Sequence, residues 1–218
     1  MSDESLFREV DEEVRQEQFK KLWARYGNLI MALCVLVIAG VAGFQGWKYW
    51  QARQADAAGE SFFSAVQLAG SGKSDEALKQ FEAVNHSGYS VLGKLREAGI
   101  LAAKGQAAEA VSRYDAVAAD GSVDAALRDL ARMRAALVLA DTASPADLAA
   151  RLKPFDTAGN PWRHTAREIM ATALWRTRDY TAADKQVQAI LADGEAPAGV
   201  RQRAKILADL LAPLIAKK

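Results

Sequence analysis

The residues of this chain that could do chemistry are two histidines, one cysteine and a few adjacent carboxylates. A metal centre or an activated nucleophile needs convergent ligands, or a base beside a nucleophile. His86 and His164 are far apart in sequence. His86 falls in an Asn85-His86-Ser87-Gly88 loop and His164 near a helix start, and both are expected at the surface. Glu12-Glu13 belongs to an acidic tail, and Asp75-Glu76 to a predicted helix N-terminus, where acidic groups meet the positive end of the helix dipole. Neither pair reads as a general acid and base. No glycine loop suited to cradling phosphate and no Gly-x-Ser-x-Gly elbow occurs. Cys34 lies within an apolar run. Leu33 stands before it, where lipoprotein processing requires a small residue, so Cys34 reads as a membrane-facing or helix-packing thiol. A single cysteine excludes an intrachain disulfide. These residues assign no catalytic, cofactor or metal role, and no small-molecule substrate is expected. A peptidoglycan-cleaving enzyme would need a carboxylate in a closed cleft, which a helical repeat rarely builds.

The chain contains instead an uninterrupted apolar segment. Leu29 to Phe44 holds no charged or proline residue, and charges stop at Arg25 and resume at Lys48. The weakly polar stretch, about 20 residues at about 1.5 Å each, matches a hydrocarbon core of about 30 Å. Trp23 and Tyr26 on one side, and Trp47, Tyr49 and Trp50 on the other, are placed as headgroup-level anchors. The preceding tail is long and acidic, unlike the short basic start of a signal peptide. Gly40-Val41-Ala42-Gly43 would tolerate close approach of another helix. Arg15, Lys20, Lys21 and Arg25 precede the segment, and only Lys48 and Arg53 follow at similar distance. The basic excess predicts a cytoplasmic N-terminus and the remaining chain across the membrane. The reverse orientation would make the protein a cytoplasmic adaptor. Phe19, Leu22, Trp23 and Tyr26, spaced by three and four, suggest an in-plane amphipathic start to the helix, with contact to a channel face as the alternative.

The rest of the chain is alanine-rich, has few prolines and shows no alternating β-branched run, a composition that reads as all-helical. Its charges nearly cancel, without the basic stripe that nucleic acid binding requires. A pattern recurs every 33 to 38 residues, near the tetratricopeptide period of about 34. Ala65 with Leu68 recurs as Ala98 with Leu101, Ala136 with Leu139, and Ala171 with Leu174. Each pair is followed by a small or apolar residue (Ala77, Ala110, Leu148, Ala183), then by Phe81, Tyr114, Leu152 and Val187, then by Val84, Val117, Phe155 and Ile190. The alanine lets two helices approach closely, and the steps of four and three put the later residues on one face of the second helix. Hairpins of this kind bury their apolar sides only by stacking. Gly70 and Gly72, Gly105, Ser144-Pro145, Asn160-Pro161 and Asp179-Tyr180-Thr181 supply the breaks. A helix near Val200 to Leu211, interrupted at its end by Pro213, would cover the last hairpin through Ile206, Leu207, Leu210 and Leu211.

The expected fold is therefore all-α: a single transmembrane helix, then a tetratricopeptide-like solenoid. The expected divisions are a tail over 1–25, the membrane helix over 26–50, and about four hairpins with a capping helix over 51–218. First helices of such hairpins usually line one binding face. Counted from the alanines, the groove candidates are Phe62, Val66, Leu95, Met133, Leu137, Glu168, Thr172 and Trp175, with Met133 and Trp175 as the expected anchors for apolar peptide or a partner helix.

With these residues located, the chain resembles the ancillary Sec-translocon subunit family of bacterial envelope proteins. The likeness is carried by Asp11-Glu12-Glu13-Val14 through Phe19-Lys20-Lys21-Leu22-Trp23, the apolar span, and Gly46-Trp47-Lys48-Tyr49-Trp50-Gln51. The resemblance implies an inner-membrane protein with a periplasmic repeat domain, whose partners are the secretion channel and periplasmic chaperones or clients. It implies no catalytic residues. A coordinator of envelope assembly or cell division, independent of the translocon, is the alternative.

Overall fold

The computed structural model describes the backbone of residues 3–216 and the side chains of residues 20–21, 23–86 and 88–216. The side chains of the acidic tail, and those of Phe19 and Leu22 in the expected amphipathic cluster, lie outside the described residues. Among the described residues the chain is all-helical, 79% helix with no strand.

The first helix, α1, runs from Asp3 to Gly70. Nothing in the sequence stops it sooner, since the first proline of the chain is Pro145. The chain divides into two compact units within this helix, between residues 57 and 58. In the N-terminal unit, Leu29, Met31, Leu33, Leu36 and Ile38 are all exposed, and only 6% of the most apolar window is buried. By length and composition this helix could cross a membrane. The five aromatic anchors also lie exposed. Arg25 sits 5.7 Å over the Tyr26 ring and Arg53 sits 5.0 Å over the Tyr49 ring, so a cation accompanies an aromatic at either end of the apolar stretch.

The second unit begins with the last turns of α1 and continues through α2 (Ser74–Glu82), α3 (Ser87–Ala103), α4 (Ala107–Ala119), α5 (Ala125–Leu139), α6 (Pro145–Leu152), α7 (Arg163–Arg176), α8 (Tyr180–Leu191) and α9 (Ala198–Ile215). Successive helices pack as hairpins, and α9 packs on α8 and α7. The repeat positions form the core. Ala65, Ala98, Ala136 and Ala171 are at most 1% exposed, as are Ala77, Ala110, Leu148 and Ala183 opposite them. Phe81, Tyr114, Leu152 and Val187, then Val84, Val117, Phe155 and Ile190, are also buried. Of the four leucines, Leu101 and Leu174 are buried, while Leu68 and Leu139 are partly covered.

The hairpin turns share one geometry. Lys73, Gln106 and Asp179 each donate a backbone N–H to the carbonyl of the repeat leucine five residues earlier: Leu68 at 3.0 Å, Leu101 at 2.9 Å and Leu174 at 2.9 Å. This Schellman closure needs a left-handed residue just before the donor. Gly72, Gly105 and Arg178 occupy that place, with φ of 80°, 78° and 65°. The third hairpin closes differently. There the Ser144 hydroxyl caps α6 by accepting from Asp147 N at 3.2 Å, with Pro145 in the first turn.

Three expectations need correction. Phe155 does not lie on the second helix of its hairpin. Helix α6 ends at Leu152 because Pro154 has no N–H and disfavours helix before it, yet Phe155 remains in the core from the following turn. Pro213 does not end α9, which continues to Ile215. Asp209, four residues back, is exposed, so the carbonyl that loses its partner can take water. Helix α9 also covers the last hairpin with only part of its apolar face: Leu211 is fully buried, whereas Ile206 and Leu210 are 55% and 47% exposed.

Because an L-residue strains a left-handed turn, Gly105→Ala is expected to lower stability by about 1 kcal/mol. Gly70→Ala, at a helical position with no neighbour near its added methyl, should not. Thermal unfolding of the full chain compares the two.

Candidate partner-binding surface

An open cavity of the second unit, about 780 Å³, is a groove across the first helices of three successive hairpins. Phe62 and Val66 of α1, Leu92, Leu95 and Ile100 of α3, and Leu130 of α5 form its apolar walls, with Phe81 and Tyr114 beneath. The Phe62 ring is wedged against Phe81 and Tyr89, with centroids 5.5 and 5.6 Å apart, which holds α1, α2 and α3 in register. Gly99 leaves the floor open: a Cβ there would meet the Tyr114 hydroxyl at 3.4 Å. Burial pushes the Tyr114 phenol above its usual pKa, against the opposing pull of Arg134 and Arg96.

Phe62, Val66 and Leu95 of the groove candidates lie in this cavity. Met133 does not, and the expectation that it anchors a partner is corrected. It is 3% exposed and packs with Ala166 and Ile169 between α5 and α7, a gap its flexible thioether can fill. Leu137 is 53% exposed but stands outside the groove. Helix α5 turns Leu130 and Arg134 to the groove instead. Glu168, Thr172 and Trp175 are brought together elsewhere, in a smaller recess of about 200 Å³ between α7 and α9. Ile206, Leu207 and Leu210 complete its apolar lining. Glu168 accepts two hydrogen bonds from Arg203 at its rim, at 2.5 and 2.8 Å.

Of the two histidines, one needs revision. His86 caps α3, its ring accepting from Gly88 N at 3.4 Å. His164 is not at the surface but 3% exposed, with its Nε2 2.9 Å from the Asp193 carboxylate. Arg163, also buried, donates to Asp193 at 3.0 Å and to Glu195 at 2.6 Å. Asp193 in turn accepts from the Glu195 backbone N–H at 3.0 Å. That backbone bond, then His164, then Arg163, hold the Asp193 carboxyl well below the usual carboxylate range, although desolvation opposes them. The cluster ties the start of α7 to the α8–α9 connection, and its groups are consumed by one another. Sequence reasoning missed it because its members lie some thirty residues apart. Among the described residues, no three of His, Cys, Asp and Glu converge as metal ligands would. The buried carboxyl of Glu97 is pushed upward by burial and partly compensated by Arg113 at 3.6 Å.

A profile of the tetratricopeptide repeat-like domain matches residues 20–206. The chain belongs to that family. Comparison with curated proteins and with solved structures returns no match. Tetratricopeptide-like domains generally mediate protein–protein interaction, and their repeat fold is typically non-catalytic.

The Asp193 cluster makes stability pH-dependent in a definite sense. A lowered folded-state pKa means that the contribution is fully present above the unfolded carboxylate value of about 3.9 and is lost as pH falls below it. Asp193→Asn should lower the melting temperature at neutral pH and flatten its decline on acidification, read by thermal scans from neutral to acid pH.

Proposed function

We propose that this protein is a membrane-anchored scaffold for protein partners, an ancillary subunit of the Sec translocon that links secretion to periplasmic chaperones. In this reading, residues 26–50 cross the inner membrane, residues 1–25 face the cytoplasm, and residues 51–218 form the periplasmic repeat domain. Trp23, Tyr26, Trp47, Tyr49 and Trp50 settle at the two headgroup layers.

The observation that carries the reading is the joining, in one chain, of an exposed apolar helix to a repeat domain with an open apolar groove. An apolar helix surface of this extent is costly in water and at rest in hydrocarbon. An anchor beside a secretion channel holds the groove at high effective concentration near an emerging chain, so modest intrinsic affinity suffices. The basic excess before the span favours the stated orientation. The resemblance of the segments flanking the span favours the secretion channel as neighbour.

Two measurements test the assignment. Protease added to spheroplasts should digest the C-terminal domain without membrane lysis; digestion only after lysis would overturn the orientation. Pull-down of the full chain should recover channel subunits and chaperones, and channel depletion should remove the chaperones. Partners retained without the channel would point to envelope assembly.

A further inference from the structure

The groove is apolar but not neutral. Arg96 of α3 and Arg134 of α5 line it, and no acidic side chain does so among the described residues. Elsewhere in this unit several arginines at hairpin contacts find carboxylates. Arg151 holds Asp115 with two bonds of 2.8 Å, Arg203 holds Glu168, and Arg167 holds Asp156 at 2.7 Å. Arg96 and Arg134 make no hydrogen bond or ion pair with another described residue. They come from different helices, yet both act on the phenol of Tyr114, which is 3% exposed on the groove floor beneath Gly99.

We propose that the groove selects apolar peptide segments carrying an internal Asp or Glu, whose carboxylate is held between Arg96 and Arg134 above Tyr114. This rests on the reading of the groove as the partner-binding surface. Two guanidiniums without counter-charge, set among apolar walls, complement a single carboxylate flanked by apolar side chains. The position of the charge argues for an internal residue, not a chain terminus. Across the groove, Arg96 stands on the middle helix, α3, with Phe62 and Val66 of α1 on one side and Leu130 of α5 on the other. The occupant must therefore continue past the carboxylate on both sides. Crossing three helices about 9 Å apart takes about 18 Å, or roughly six extended residues.

The test uses the full chain in lipid nanodiscs and a pool of N-acetylated, C-amidated apolar peptides of about eight residues with Glu at the centre. One comparison pool has Gln at the centre, and another has central Gln with a free C-terminal carboxylate. Glu-centred peptides are expected to bind about tenfold more tightly than their Gln twins. Arg96→Gln and Arg134→Gln should each reduce that preference, and the double variant should remove it. Lys94→Gln, an exposed charge outside the groove, should keep the preference, and Gly99→Leu should block binding of every pool. Both arginines are exposed and unpaired, so unchanged melting temperatures are expected for their variants. Equal affinity for Glu and Gln twins, a preference for the free terminus, or a preference that survives the double variant overturns the proposal. So does saturable binding of laurate with no peptide bound. If no peptide binds but partners are still captured in membranes, the inference fails alone. If neither occurs, the scaffold reading fails with it.

Discussion

Close approach of helices at alanine is the constraint on which the repeat unit depends. At each hairpin crossing the first-helix residue is alanine and is at most 1% exposed. Its partner on the second helix is alanine in three hairpins and Leu148 in the other. A larger side chain at these sites would push the helices apart and disturb every contact that follows, since packed interiors have little spare volume. The aromatic and aliphatic residues beyond the crossing then have fixed distances to fill. The turn closes on the repeat leucine's carbonyl, so helix packing and turn geometry share one residue. The third hairpin shows what happens when that closure is absent: a short α6, a serine cap and a proline-terminated end, with Phe155 still reaching the core.

The same packing leaves the first helices partly uncovered, and this is the origin of the groove. Second helices fill the back of the stack, whereas Phe62, Leu95 and Leu130 are shared between core and open surface. Several polar groups are paired away from this face. Arg163, His164, Asp193 and Glu195 fasten the last hairpin to α9, and Asp115 and Arg151 join α4 to α6. The fold therefore spends its carboxylates on holding hairpins together and keeps the groove free of negative charge. At the far end, α9 covers the last hairpin incompletely, leaving the recess beside Trp175.

The all-helical class, the apolar segment and the repeat register were legible in the sequence because each follows from a period or a run. Four alanines in phase with three further positions located about half of the buried core. The groove was less legible. Counting from Ala65 and Ala98 gave Phe62, Val66 and Leu95, which line the cavity, whereas counting from Ala136 gave Met133 and Leu137, which do not. Three of the five alanines of α5, Ala131, Ala135 and Ala136, are buried, on both of the helix's packed sides. With small residues on both faces, spacing alone cannot say which direction is open, so Met133 read as groove and Leu130 and Arg134 went unnoticed. The burial of His164 was illegible for a different reason: its partner Asp193 is distant in sequence, and no local pattern marks the pair.

Under the proposed function, an anchored helical stack works by gripping protein partners in the groove across its first three hairpins. Photocrosslinking in native membranes tests it most directly, with a photoreactive side chain placed at Val66 or Leu92 in the groove and, as comparison, at Ser112, exposed on α4 away from it. Discrete protein adducts from the groove positions, absent from Ser112 and lost on Gly99→Leu, are predicted. Equal labelling from all three positions, or adducts from Ser112 alone, would contradict it.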